Sequence, residues 1–145
     1  MLMELKTGTV KIKLRDDLAP NHVERIKTLI GEQFYDGIVF HRVIDGFMAQ
    51  TGDPTGTGMG GSDYPDLRAE FSSEAFKRGT LGMARSQHPD SANSQFFICF
   101  DDSTWLNGQY TVFGEVIEGM EHIEAIAKGE PPADPDKIIS LRLAD

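Results

Sequence analysis

Arg42 stands in the run Phe40-His41-Arg42-Val43-Ile44-Asp45-Gly46-Phe47-Met48-Ala49-Gln50-Thr51-Gly52-Asp53, one cation among large apolar residues that alternate in strand-like fashion. A guanidinium is almost always charged and is seldom fully buried without a partner. Aimed into an apolar cleft it is a costly donor, which points to work on a substrate. The opposite wall of such a cleft is expected from Ser94-Gln95-Phe96-Phe97-Ile98-Cys99-Phe100 and Trp105-Leu106-Asn107-Gly108-Gln109-Tyr110.

Other chemistries find less support. His22, His41, His88 and His122 are scattered, without H-E-x-x-H or Cys/His spacing, so no metal site is expected. Cys99 lies in an apolar strand pattern and reads as a buried, inert thiol. Gly56-Thr57-Gly58-Met59-Gly60-Gly61 contains G-x-G-x-x-G, but Ser62-Asp63-Tyr64-Pro65 follows where a dinucleotide site needs a helix, so a flexible loop is expected. Ser86 to Ser94, with His88 and Asp90, lacks a nucleophile elbow. Glu118, Glu121 and Glu124 read as a solvated helix face. The cleft residues have plain alternatives too. Phe47, Met48, Phe97 and Leu106 would serve as core, Gln50 and Gln95 as backbone partners, and Trp105 as a surface anchor.

The elements that must carry these residues are short. Leu2-Glu4-Leu5 and Val10-Ile12-Leu14 alternate around a Thr7-Gly8 turn, which predicts a hairpin. Pro20 suits a first helical turn, Val23, Ile26 and Ile30 share a helical face, and Gly31 can end that helix. Strands are predicted over 39–44, 47–51, 80–84, 95–100 and 111–116. A second helix is predicted over 120–128, burying Met120, Ile123 and Ala127 and stopped by Gly129. Pro131, Pro132 and Pro135 then make a loop before a last strand over 137–143. Many short strands with only two helices predict a mainly β fold, barrel or sandwich.

Size and composition limit the rest. A chain of 145 residues fits a single domain over 1–145. Fourteen basic against 23 acidic residues give a formal charge of −9, which disfavours nucleic acid and anionic membrane as partners. With one cysteine no internal disulfide can form, which fits a reducing compartment. The start, Met1-Leu2-Met3-Glu4-Leu5-Lys6, shows no secretory pattern, and no run reaches the ~18 apolar residues of a membrane helix. A cytoplasmic location is expected.

The chain resembles the cyclophilin family of peptidyl-prolyl cis-trans isomerases, in the form of a short, prokaryotic-like, single-domain member. The resemblance runs in family order through Gly8-Thr9-Val10, Ala19-Pro20, Phe34-Tyr35-Asp36-Gly37, Phe40-His41-Arg42 and Phe113-Gly114-Glu115-Val116, covering nearly the whole chain. It implies an eight-stranded antiparallel β-barrel capped by a helix at each end. It also implies isomerisation of X–Pro bonds without a cofactor, acting on proline-containing segments of unfolded or flexible proteins.

Residue by residue, the resemblance gives Arg42 and Gln50 the catalytic positions and Phe47, Met48, Phe97 and Leu106 the proline pocket. Gln95 joins Gln50 in holding Arg42 and the substrate backbone. Met83-Ala84-Arg85 matches the strand whose backbone anchors the residue before proline, and Gly56 a glycine in the loop beside a secondary pocket. Trp105 matches the tryptophan associated with cyclosporin binding. Arg85 stands where asparagine is common, and Tyr110 where histidine is common, so altered specificity is expected. A monomer is implied as well. Two rival readings remain at this level: a proline-recognition module with poor turnover, and a small barrel enclosing an apolar ligand.

Overall fold

The computed structural model describes residues 1–144, so the expected domain over 1–145 is described except for Asp145. The strands are β1 (Leu2–Leu5), β2 (Gly8–Leu14), β3 (Arg42–Ile44), β4 (Met48–Thr51), β5 (Thr80–Met83), β6 (Phe96–Cys99), β7 (Val112–Glu118) and β8 (Ser140–Arg142). They form one eight-stranded sheet in the order β3-β4-β6-β5-β7-β2-β1-β8, with every pair antiparallel. Helices α1 (Pro20–Gly31) and α2 (Met120–Glu124) complete the fold.

The sheet curls until its two ends meet through loop backbone. Phe40 donates to the Asp136 carbonyl (2.8 Å), Ile138 donates to Ile38 (2.9 Å), and Val39 bridges Lys137. This seam explains two differences from the sequence reading. Strand β3 begins at Arg42 instead of residue 39, and β8 at Ser140 instead of 137. The intervening residues are extended and bonded, but to each other across the seam.

Helix α1 keeps its predicted bounds. Pro20 begins it, where a missing N–H costs nothing. Its other first-turn amides are capped from outside, for Asn21 and His22 both donate their backbone N–H to the Glu70 carboxylate. Val23, Ile26, Leu29 and Ile30 are buried as the periodicity requires. Gly31 does not itself turn the chain. The left-handed residue is Gln33, at φ 59°.

Helix α2 is shorter than predicted, ending at Glu124, and Ile126 is buried in place of Ala127. The helical period over 120–128 loses to two tertiary bonds. Ala127 donates its N–H to Asp136 Oδ1 (3.0 Å), and Gly129 exchanges two backbone bonds of 2.8 Å with Val43 on the free edge of β3.

Phe40, Leu81, Phe96, Ile98 and Phe113, each 0% exposed, fill the barrel interior. An eight-stranded barrel is just wide enough to be filled by side chains, and here the described residues fill it with these apolar groups. Alternation along β4 and β6 divides their side chains between two clusters. Ala49, Phe96 and Ile98 enter the interior, whereas Met48, Phe97 and Cys99 join Phe76, Leu106 and Val112 in a second cluster outside it. That outer cluster makes the floor of a groove.

Candidate active site

The groove exists because β4 and β6 are apolar on both faces. Met48, Phe97 and Leu106, at 2%, 5% and 8% exposure, form its floor. Phe97 is locked by stacking on Phe76 (centroids 5.8 Å apart) and by an edge contact with Tyr110 (5.7 Å). Phe47 makes one wall and Trp105, 64% exposed, leans on it from outside at 5.5 Å. The resulting pocket has a volume of ≈ 140 Å³ and is lined by Arg42, Phe47, Met48, Gln50, Ala84, Arg85, Phe97, Leu106 and Tyr110. That is smaller than the ~300 Å³ at which drug-sized sites begin, and suits one small ring.

Arg42 reaches this pocket because it pairs with Gln50 in the β3–β4 register, which sets both side chains on the groove face. Its guanidinium is held at two points. Nε donates to Glu130 Oε1 at 3.0 Å, and a terminal nitrogen lies 3.5 Å from Gln50 Oε1. Gln50 in turn donates to Gln95 Oε1 (2.9 Å), and Gln95 donates to the Gly58 and Gly60 carbonyls at 3.0 and 2.9 Å. A line of polar contacts thus runs from Glu130 through the cation to the Gly-rich loop.

That loop is tied down, contrary to the flexible loop expected from its glycines. Asp53, 1% exposed, accepts from the amides of Thr55 (2.8 Å), Thr57 (3.1 Å) and Gly58 (2.6 Å) and from the Thr55 hydroxyl. Burial works against its charge, but these donors outweigh burial and hold the carboxyl down at about 2. Asn93 fixes the next stretch by accepting from the Ser62 amide and hydroxyl.

A second, larger cavity of ≈ 500 Å³ adjoins the first, with Gln50, Ala84 and Arg85 on the shared border. Gln95 lines this second cavity and not the first. Arg85 lies over the Tyr110 ring at 4.6 Å and donates to the Gln109 and Ser86 carbonyls. Tyr110 therefore carries a cation stacked on its ring.

Two expected positions line neither cavity. Met83 belongs to the barrel core at 1% exposure, because alternation along β5 turns it inward. Its amide donates to Thr111, and that of Ala84 to Gln95, both at 3.0 Å, so neither N–H is open to a peptide. Gly56 sits in the turn closed by its own N–H on the Asp53 carbonyl, and lines neither cavity. Sequence reasoning in turn missed Asp53 and Glu130. The string Asp53-Pro54-Thr55-Gly56 carried an Asx-turn signal. Glu130 carried none.

His41 points away from the groove and is 7% exposed; burial lowers its pKa, partly offset by Asp53. Burial likewise pushes the Cys99 thiol up to about 12, so it is unreactive.

The geometry has counterparts among known proteins. The family model described as cyclophilin type peptidyl-prolyl cis-trans isomerase/CLD matches residues 1–143. A protein of Brucella suis named probable peptidyl-prolyl cis-trans isomerase is 55% identical, the match covering 99% of this chain and 81% of that one. A peptidyl-prolyl cis-trans isomerase of Synechococcus elongatus is 36% identical over 98% of this chain and 94% of its own. The crystal structure of a Cryptosporidium parvum cyclophilin in the presence of the dipeptide Ala-Pro superposes with a TM-score of 0.92, at 31% identity and 99% and 98% coverage.

Proposed function

This chain belongs to the cyclophilin-type peptidyl-prolyl cis-trans isomerases, and from that premise we propose that Arg42 drives its reaction by donating to the prolyl nitrogen as the amide twists. Rotating a peptide bond costs ~18–20 kcal/mol because the nitrogen lone pair is delocalised into the carbonyl. At mid-rotation the lone pair returns to a pyramidal, more basic nitrogen. A donor aimed at that nitrogen binds the twisted amide better than the planar one, and only such a difference accelerates the step. The planar amide is also the more polar, so a pocket that strips water from it works in the same direction.

The observation that carries this reading is the opening of Arg42 onto the same small pocket as Phe97 and Leu106. A proline ring seated on Met48, Phe97 and Leu106 brings its nitrogen to the groove face where the guanidinium lies. Charge-assisted bonds contribute ~1.5–3 kcal/mol, or about ten- to a hundredfold in rate. Ring desolvation and backbone contacts near Gln50 and Gln95 supply the remainder. Residues preceding the proline extend past Ala84 toward the second cavity.

The substrates on this reading are proline-containing segments of unfolded or flexible proteins. Cyclosporin binding at the Trp105 rim, a monomeric state and a cytoplasmic location complete the proposal. Exposure of Trp105 beside the pocket favours the first, and the lone buried thiol of Cys99 suits a reducing compartment. Fractionation of cells and sedimentation of the purified protein check location and oligomeric state.

Exchange NMR on a proline-containing peptide tests the mechanism. Arg42→Ala should lose most turnover while peptide affinity falls much less. Equal exchange rates for the two proteins would remove Arg42 from the mechanism.

A further inference from the structure

The geometry points to Glu130 as the positioning residue for Arg42, an inference that rests on the role proposed for that arginine. An arginine on a sheet edge has a long, flexible side chain and carries ~2 kcal/mol of rotamer entropy. A donor must instead stand ready where charge develops, since reorganisation during the reaction lowers its effect. Arg42 is 45% exposed at its side chain, so packing alone does not fix it.

Glu130 supplies the missing constraint. Its Oε1 accepts from Nε, the single-hydrogen nitrogen of the guanidinium, at 3.0 Å. The opposite side of the group faces Gln50 Oε1 at 3.5 Å. With Nε pinned, the guanidinium is held beside the pocket that Arg42 lines together with Met48 and Phe97. The carboxylate is itself placed by backbone. Gly129, its neighbour, exchanges two 2.8 Å bonds with Val43, the residue after Arg42. Gly129 adopts φ +143°, and a Cβ there would come within 2.7 Å of Pro132 Cα, so the approach of this loop to β3 requires glycine.

Stability does not explain the pair. With side-chain exposures of 45% and 56%, it is open to solvent and screened. Orientation does, because both partners hang from one backbone rung and meet beside the groove.

Exchange NMR yielding turnover and peptide affinity separately tests this in Glu130→Ala and Glu130→Gln, each also in an Arg42→Ala background. Glu130→Ala should lower kcat about three- to tenfold with affinity changed less than about twofold, as misorientation of a donor predicts. Glu130→Gln should recover most of the loss, since its amide oxygen still accepts from Nε. The Arg42 Nε–Hε resonance should shift and broaden in Glu130→Ala only. In the Arg42→Ala background, loss of Glu130 should change nothing further. Unchanged or faster turnover in Glu130→Ala beside an inactive Arg42→Ala overturns the inference alone. A loss that persists without Arg42 does the same. An active Arg42→Ala overturns both readings.

Discussion

Gln50 donates its side-chain amide to Gln95 Oε1 at 2.9 Å, although the two are 45 residues apart. The bond joins the strand that faces Arg42 to the loop carbonyls of Gly58 and Gly60 that Gln95 bonds. Each amide uses its oxygen toward one neighbour and its nitrogen toward the next, so neither can be replaced without leaving a partner unmatched. Gln50→Ala and Gln95→Ala should each lower kcat/KM about tenfold by loosening the geometry around the cation. Because they act in one line, the double variant should lose much less than the product of the two. Strict additivity in exchange NMR would show that they act separately.

Tyr110 is an edge partner of Phe97 and a platform for Arg85. Removing the ring should widen the pocket and free the cation at once. Tyr110→Ala is expected to weaken peptide binding about five- to tenfold, in line with the loss of an aromatic pair and a cation–π contact. Tyr110→Phe keeps both ring contacts and should bind as wild type. Equal weakening in the two variants would place the effect on the hydroxyl.

Trp105 is the only tryptophan, so its fluorescence reports one place on the groove rim. Cyclosporin added at micromolar concentration should produce a saturable change and block peptide exchange with the same midpoint. A flat titration would remove the drug from the set of ligands.

Asp53 holds the loop that Gln95 grips. A buried carboxylate with five hydrogen-bond donors leaves those donors unmatched when truncated, which costs ~1–3 kcal/mol for each poorly solvated group. Asp53→Ala should therefore lose about 3 kcal/mol in urea unfolding. Turnover measured well below the unfolding transition should also fall, because the Gly58 and Gly60 carbonyls lose their support. Unchanged stability would mean that water replaces the carboxylate.

His22 makes folding sensitive to acid. It is 0% exposed; Nδ1 lies 2.5 Å from Glu70, and Nε2 is buried without a partner among the described residues. Burial lowers its pKa from 6.5, Glu70 opposes that, and Arg25 assists it. For Glu70, burial acts upward, but His22 and the first amides of α1 hold it below its ordinary value. Between the unfolded and folded values of His22 the unfolded chain binds more protons, so stability rises with pH there and is lost as pH falls below 6.5. His41, lowered mainly by burial, adds in the same direction. Urea midpoints should decline from about pH 7.5 to about pH 5.5. A flat midpoint, or an NMR titration of His22 at its ordinary value, would contradict this.

Local sequence was sufficient where one periodicity met no competitor. Pro20 with Val23, Ile26 and Ile30 defined α1 to the residue, and alternation around Thr7-Gly8 defined the first hairpin. The apolar run from Phe96 could be read as a strand, and Arg42 as a cation in need of a cleft. Alternation along β4 and β6 told which residues share a face, but only closure of the barrel decided which face was core and which was groove. Met83 lies on the inward face of β5, which its place in the motif does not reveal. Residues 120–128 had a helical period, yet Asp136 and Val43 took the backbone bonds that would have extended α2. Glu130 is 88 residues from Arg42 and sits in a proline-rich loop with no pattern of its own. Its pairing arises from a backbone rung between distant segments, and that is settled only when the chain has folded.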